Sequence, residues 1–437
     1  MEKTVNNTNI DYGKWRRFSL GVVCCSFLIM FVNPILSGSS LFTTYLPDIY
    51  GWDRSSIALP YTMGGLLKLV LTFFTATAFA RYDPRKIIPL GTLFYGIAML
   101  LMSNMGGNYS IYFAAAIICG LGEVILNLGG TFVLCGNWFN KKLGTVLGIV
   151  TIGAPLCNGF MMNAIVRYIA TFSDTATGLK LVTSFLGYFC LFLSVLFYII
   201  IRGKPEDIGF YPDGETTPLV KKNAESLKTD WTLKRILTNR YAVTLYIGFG
   251  LLSFITSGVM NIFIRALVET GMETVSAANY LTLASVLAIL LSFVSGIIDD
   301  RIGTRTATLI AAAFYVILGI SMYIVVRTGN TLAILVAAVG IGFGIGTVPN
   351  LNASYTNRLF GRANLMLAHR YLSIISGGIA LVSGSTIGYI YDAAGSYGPA
   401  FILCAVLAVV AFVLIFGCNK SFSEDYIAAH NGDDRIR

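Results

Sequence analysis

Lys68 stands inside the apolar run MGGLLKLVLTFF at 63–74, and Glu123 inside AAAIICGLGEVILNL at 114–128. A cation and an anion in such surroundings can neutralise each other, or they can hold and release a ligand carboxylate and a proton. Their spacing sets the depth. Lys68 lies 14 residues after Arg54 and 13 before Arg81, and Glu123 lies 14 after Tyr109 and 15 before Trp138. At about 1.5 Å per helical residue, Lys68 is about 20 Å from either flanking cation, and Glu123 is at a similar level. A lysine side chain on the order of 6 Å long cannot snorkel out from there. Facing lipid, each charge would cost about 3 kcal/mol, so both are expected to face the interior or a watery cavity.

Three roles follow for the pair. It is a structural ion pair, or Lys68 attracts a ligand carboxylate while Glu123 exchanges a proton, or Lys68 binds the anion and Glu123 holds Lys68 in place. Polar neighbours fit a binding site. Asn33 precedes Pro34, which frees a backbone carbonyl, and Asn127 lies one turn from Glu123. Either asparagine could equally make an interhelical hydrogen bond. Arg370 stands eight residues after Arg362, near one membrane face, where it snorkels to the interface or, with His369, forms an inner vestibule, and Arg265 with Glu269 lies near the other face, as a surface pair or an outer gate.

The elements that position these residues are membrane spans. Of 437 residues, 55% are hydrophobic and 12% charged, against about 25% charged in a soluble domain. Apolar stretches of about 20 residues recur, each long enough to cross a hydrocarbon core of roughly 30 Å, and none alternates as a β-barrel strand does. The expected fold is all-α, with twelve spans at about 20–46, 55–79, 87–105, 110–136, 143–166, 181–201, 241–264, 276–298, 306–326, 331–355, 365–390 and 398–418. The first is too long for a signal-peptide core and lacks a cleavage site, so it reads as retained.

Charge supplies orientation. With the N-terminus inside, 25 of the 31 Lys and Arg residues fall on cytoplasmic segments, and the outer loops hold only Arg54, Arg167, Lys180, Arg265 and Arg327. The net charge of +9 is therefore a topology signal and implies no nucleic-acid partner. All eight cysteines lie in or at the edge of spans, and the chain has two histidines, so neither a disulfide framework nor a metal cluster is indicated. No cofactor is expected. No nucleophile, base and acid converge in the polar segments, which argues against an enzyme.

The longest polar stretch divides the chain into a cytoplasmic tail (1–19), a six-helix bundle (20–201), a cytoplasmic linker (202–240), a second bundle (241–418) and a cytoplasmic tail (419–437). Within the linker, TDWTLKRIL reads as a surface helix. The halves repeat at a shift of about 220 residues, with ATAFARYDPR at 76–85 falling on GIIDDRIGTR at 296–305. Such repeats place a substrate site near the midplane between bundles.

GIIDDRIGTR resembles the loop signature of the major facilitator superfamily, Gly-x-x-x-Asp-Arg-x-Gly-x-Arg, through Gly296, Asp300, Arg301, Gly303 and Arg305. The first-half copy keeps Arg81 and Arg85 and has Ala76, Ala80 and Asp83 in place of Gly, Asp and Gly. NWFNKKLGTVLGI, the linker's RGKPEDIGFYPDG and GSTIGYIYDAAGSYGPAF at 384–401 resemble the oxalate/formate-antiporter and monocarboxylate-transporter branch. GAPLCNG at 153–159 resembles a degraded Gly-Pro antiporter motif. The resemblance implies two pseudo-symmetric bundles and alternating access. Arg81, Arg85, Asp299, Asp300, Arg301 and Arg305 become gating candidates, the aspartates pairing with Arg301, Arg305 or helix ends of the other bundle; loop charges of this kind also simply set topology. Carriers of this branch place an arginine on helix 8 and the oxalate carrier a lysine on helix 11, where this chain has Ser292 and approximately Ser376. With serines at these places, the anion-binding cation of this chain is expected in the opposite half, at Lys68.

The expectation is a monomeric, multi-pass carrier of the plasma or inner membrane, with both termini cytoplasmic, transporting an organic anion with protons. Lys68, Asn33, Asn127, Arg370 and His369 would bind the anion and Glu123 would couple the proton. An exchanger or exporter of an amphipathic compound is the alternative, favoured by a cavity rich in Phe, Tyr and Met. A non-transporting receptor or scaffold would have only a short tail and a 39-residue linker as soluble parts.

Overall fold

The computed structural model describes residues 12–37, 40–126, 131–139, 143–215, 233–360, 365–422, 427 and 434–436. Asn127 lies outside them, as do the side chains of Arg81, Asp300, His369 and Arg370. Among the described residues no strand forms, and ten helical segments are long and apolar enough to cross a membrane. Two more helical stretches, Arg54–Arg81 and Tyr109–Ile125 followed by Thr131–Trp138, occupy the places of the second and fourth expected spans.

The first half holds α1 (Tyr12–Ser37), α2 (Ser40–Tyr50), α3 (Arg54–Arg81), α4 (Pro84–Ser103), α5 (Tyr109–Ile125) and α6 (Thr131–Trp138). A span built of α7 (Leu143–Thr151), α8 (Gly153–Leu156), a π-turn (Cys157–Met161) and α9 (Met162–Ile169) follows, then α10 (Thr175–Ile200). The π-turn comes just after Pro155, which has no amide to bond the carbonyl of Thr151 and so disturbs the helical ladder there. Helix starts follow local chemistry: the Asp83 side chain accepts from the Arg85 amide with Pro84 at the first helical position, and Asp174 accepts from Ala176 and Thr177.

The second half holds α12 (Arg240–Val268), α13 (Thr274–Arg301), α14 (Thr304–Thr328), α15 (Thr331–Phe360), α16 (Leu365–Leu381), α17 (Ser383–Ala394) and α18 (Gly398–Gly417), preceded by the short α11 (Leu233–Leu237) within the expected surface helix. Gly303, between α13 and α14, has φ 116°, a conformation that requires glycine at this turn.

The start of the polar connection is docked on the first half. Trp138 Nε1 donates to the Arg202 carbonyl at 2.9 Å, the Asn137 amide to Gly203 at 3.0 Å, and Gly214 lies against the Trp15 ring. Residues 202–215 are therefore part of the first bundle's surface.

The halves meet unevenly. Among the described residues, every hydrogen bond between them lies toward the end that carries Arg54 and Glu269, or near mid-depth around Gly159 and Thr282. Toward the opposite end, where the 202–215 segment sits, the halves part around a cavity, and Pro349 in its wall is exposed. Among the described residues, then, the halves are bonded to each other at the Arg54 end and not at the linker end.

Candidate functional site

The cavity between the halves has a volume of about 670 Å³, in the range of sites for ligands well above the smallest acids. Lys68 and Glu123 both line it, and Lys68 Nζ donates to Glu123 Oε1 at 2.5 Å. Their side chains are 30% and 16% exposed, so the pair faces the cavity. On α3 the neighbours Leu66 and Val70 turn outward and are 45% and 58% exposed, while Lys68, on the opposite side of the helix, turns in.

What fixes the pair is a crossing of main chains one turn away. A Cβ on Gly64 would meet the Ala116 carbonyl oxygen at 3.0 Å, and one on Gly120 would meet the Gly64 Cα at 2.8 Å. Gly64 precedes Lys68 by four residues and Gly120 precedes Glu123 by three, so the contact that brings α3 against α5 also holds ammonium and carboxylate at one level. Gly120→Val is expected to cost about 1–3 kcal/mol by overpacking and to separate the charges. Thermal unfolding of the purified variant checks this, and an unchanged midpoint would contradict it.

Asn33 itself is not among the lining residues, although Pro34 and Ile35 are. Its side-chain oxygen accepts from the buried Tyr95 hydroxyl at 2.8 Å, a bond between α1 and α4. The interhelical use of Asn33 is the one seen, and the residue is withdrawn from direct ligand contact in this state.

Of the loop charges, Asp299, Arg305 and Arg85 are engaged within their own bundles. Asp299 pairs with Arg358 of α15 at 3.0 Å and accepts from the hydroxyls of Thr304 and, at 2.6 Å, Ser354. The sequence pairing of Asp299 with Arg301 or Arg305 is corrected here: Arg358 lies at the same end of α15, the parallel neighbour of α13, whereas Arg305 reaches from the first turn of α14 to the Phe416 carbonyl, 2.7 Å away at the end of α18. Arg301 is exposed at the end of α13. Arg85 donates to the Tyr198 carbonyl at 3.1 Å and packs on its ring. These contacts tie helices together inside each bundle.

The closed end carries a charge chain that crosses between the halves twice. Asp48 on α2 binds Arg265 on α12 through both guanidinium nitrogens, one at 2.9 Å. Arg265 reaches Glu269 one turn on at 3.3 Å, and Glu269 binds Arg54 at the start of α3. Arg54 also lies 3.6 Å from the centroid of the Tyr391 ring and donates to the Tyr397 hydroxyl at 2.7 Å. Asp392, from the second half, accepts from the amides of Arg54 and Ser55 at 3.3 and 3.1 Å. It caps α3 of the first half from outside, where the orphan amides and positive dipole end of a helix favour a carboxylate. A Cβ on Gly388 would fall 2.8 Å from the Ser55 nitrogen, so only glycine permits this approach.

Sequence reading had placed Arg265 and Glu269 at this end but missed Asp48, Arg54 as a partner, and Asp392. It had also passed over Gly64, Gly120, Asn158 and Asn261. The glycines were visible in GGLLK and GLGE one turn before each charge, and Asn158 stood inside GAPLCNG.

The family model described as Major Facilitator Superfamily matches residues 18–368. Monocarboxylate transporter 12 of Rattus norvegicus is 21% identical over 408 residues, spanning 90% of this chain and 84% of that protein. Riboflavin transporter MCH5 of Saccharomyces cerevisiae is 27% identical over 207 residues, 45% of this chain and 37% of that protein. Among solved structures, the nucleoside transporter NupG superposes with a TM-score of 0.71 at 12% identity, covering 92% of this chain and 99% of that one. The D-xylose-proton symporter gives 0.67 at 13%, covering 92% and 97%. At these identities the structural likeness concerns the fold. A helical molecule of two bundles closed at one end, matched by this model over most of its length, is a multi-pass membrane transporter rather than an enzyme: the chain belongs to the Major Facilitator Superfamily.

Proposed function

We propose that the protein carries an organic anion together with a proton by alternating access, with Lys68 as the anion anchor and Glu123 as the proton-coupling carboxylate. The observation behind this reading is the Lys68–Glu123 pair lining a cavity between the bundles at the middle of α3. The relative named for monocarboxylates supports the substrate class. With the Lys- and Arg-rich segments in the cytoplasm, the linker end is the inner side and the Arg54 end the outer gate, in a plasma or inner membrane. The carrier works as a monomer, since one chain encloses a whole cavity.

Charge bookkeeping at the pair accounts for coupling. In the empty site Lys68 and Glu123 neutralise each other, and a net-neutral site can be carried across the low-dielectric barrier. When a substrate carboxylate takes the ammonium, Glu123 is left as an uncompensated anion and closure is disfavoured until it binds a proton. Loaded and protonated, the site is neutral again. One proton therefore accompanies each monoanion, and the cycle moves no net charge.

The test is uptake of labelled carboxylates into proteoliposomes under an inward proton gradient. Glu123→Gln is expected to abolish gradient-driven accumulation while retaining exchange of substrate for substrate, and uptake by the parent is expected to ignore an imposed membrane potential. Accumulation that persists in a folded Glu123→Gln, or a substrate-dependent current, would overturn the coupling. The exporter of amphipathic compounds finds less support. Tyr61, Met162 and Met260 line the cavity, but no phenylalanine does among the described residues.

A further inference from the structure

We propose that the cavity has a second, uncharged pole at Asn261, with Asn158 and Ser257 offering further uncharged groups between it and Lys68, and that the substrate is an elongated acid. It would carry a carboxylate at one end and a neutral hydrogen-bonding group, a hydroxyl, carbonyl or amide, at the other. This rests on the anion reading above and specifies it.

Lys68 and Glu123 are the only charged residues among the described residues of the lining. The remaining polar lining divides into groups already used by the protein and groups that are not. Thr256 bonds the Leu252 carbonyl and the Tyr315 hydroxyl, and Thr62 bonds Ser385 across the halves at 2.7 Å. The side chains of Asn158, Asn261 and Ser257 make no hydrogen bond among the described residues, although all three line the cavity and none is buried away from it. A carboxamide offers two donors and an acceptor, and a ligand that displaces its water must replace those bonds or leave them unmade.

The backbone holds these groups in place. Asn158 lies in the π-turn, next to Gly159, whose Cα side is pressed on α13: a Cβ there would fall 2.6 Å from that of Ser285. The Thr282 hydroxyl bonds the Gly159 carbonyl at 2.9 Å. On the facing wall the Asn261 carbonyl accepts from Thr43 at 2.8 Å, so the main chain beside its carboxamide is anchored across the halves.

Separation of the poles follows from helix arithmetic. Arg54 and Glu269 are joined and so share a level. Lys68 is 14 residues along α3 from Arg54, and Asn261 is 8 residues along α12 from Glu269. At about 1.5 Å per residue the difference of six residues places Asn261 about 9 Å nearer the closed end than Lys68. A three-carbon acid held by Lys68 does not reach it; an acid with a chain of about eight atoms or a phenyl spacer does.

Paired probes test this in proteoliposomes: labelled octanoate against 8-hydroxyoctanoate, 4-phenylbutanoate against 4-(4-hydroxyphenyl)butanoate, and lactate. The parent is expected to favour the hydroxylated member in kcat/KM by about tenfold, the scale of one neutral hydrogen bond made in a water-accessible site, and to take lactate poorly. Asn261→Leu should bring the ratio toward one by lowering uptake of the hydroxylated member, and Asn158→Leu should lower the ratio less, with Asn261→Ser and Asn158→Ser as milder replacements should the leucines not fold. Lys68→Met should depress both members alike. A parent ratio of one, lactate carried as well as the best long acid, or a ratio unchanged in every asparagine variant would overturn the proposal. Uptake of no acid at all by the parent would overturn the anion reading itself, and this one with it.

Discussion

Lys68→Met should lower kcat/KM for the carried acid about a hundredfold while the protein remains folded. A hydrogen bond to a charged group contributes about 1.5–3 kcal/mol, and each 1.4 kcal/mol is a factor of about ten. Methionine keeps the length and apolar stem of lysine, so the loss isolates the charge. Its cost to the fold is that Glu123 loses the ammonium 2.5 Å away. In a half-wet cavity a proton can relieve that, and the double variant Lys68→Met, Glu123→Gln should recover stability without recovering uptake. Uptake and thermal unfolding on the same preparations separate the two effects. Transport left intact in a folded Lys68→Met would reduce the pair to a structural strut.

The second large effect is expected at the closed end. Glu269 is shared by Arg54 of one half and Arg265 of its own helix, so Glu269→Gln leaves two guanidinium groups without the carboxylate between them, Asp48 remaining bound to Arg265 alone. Exposed pairs contribute only about 0.2–1 kcal/mol each, but here removal also adds like-charge repulsion. Asp392→Ala removes a helix cap, about 1 kcal/mol. Together the two substitutions should shift the equilibrium toward opening at this end by about 2 kcal/mol, roughly thirtyfold. A cysteine at Met260, in the cavity wall, reports it through its labelling rate with an impermeant maleimide applied from the outer side. The exposed native Cys24 is accounted for by the same protein without the reporter. An unchanged rate would show that the charge chain does not hold the halves shut. High salt should raise the parent's rate, since exposed pairs are screened, and raise the Glu269→Gln rate less.

Sequence alone carried the all-helical plan because apolar run length is a direct measure of membrane thickness, and runs near 20 residues have few other uses. The pairing of Lys68 with Glu123 was also legible, since two charges at equal depth in different spans have few other partners. The gate chain was not. Asp48 and Arg265 are separated by 217 residues, and Asp392 and Ser55 by 337; nothing local to any of them points to the other. Asp299 misled for the opposite reason. Arginines two and six residues away looked like partners, but helix direction sends Arg305 to α18, and the true partner comes from α15. Asn158 was hidden because its neighbours Gly153, Pro155 and Gly159 read as packing, which they also are.

The Gly64–Gly120 contact divides labour between the halves. Because main chain touches main chain one turn from the charges, the spacing of ammonium and carboxylate is set by the backbone and not by adjustable side chains. The facing wall is made of short hydroxyl and amide groups such as Ser253, Ser257 and Asn261, each replaceable without moving a helix. Under the proposed function, retargeting the carrier to another acid is therefore a matter of rewriting one face of α12 while leaving α3 and α5, and with them the proposed proton site, untouched.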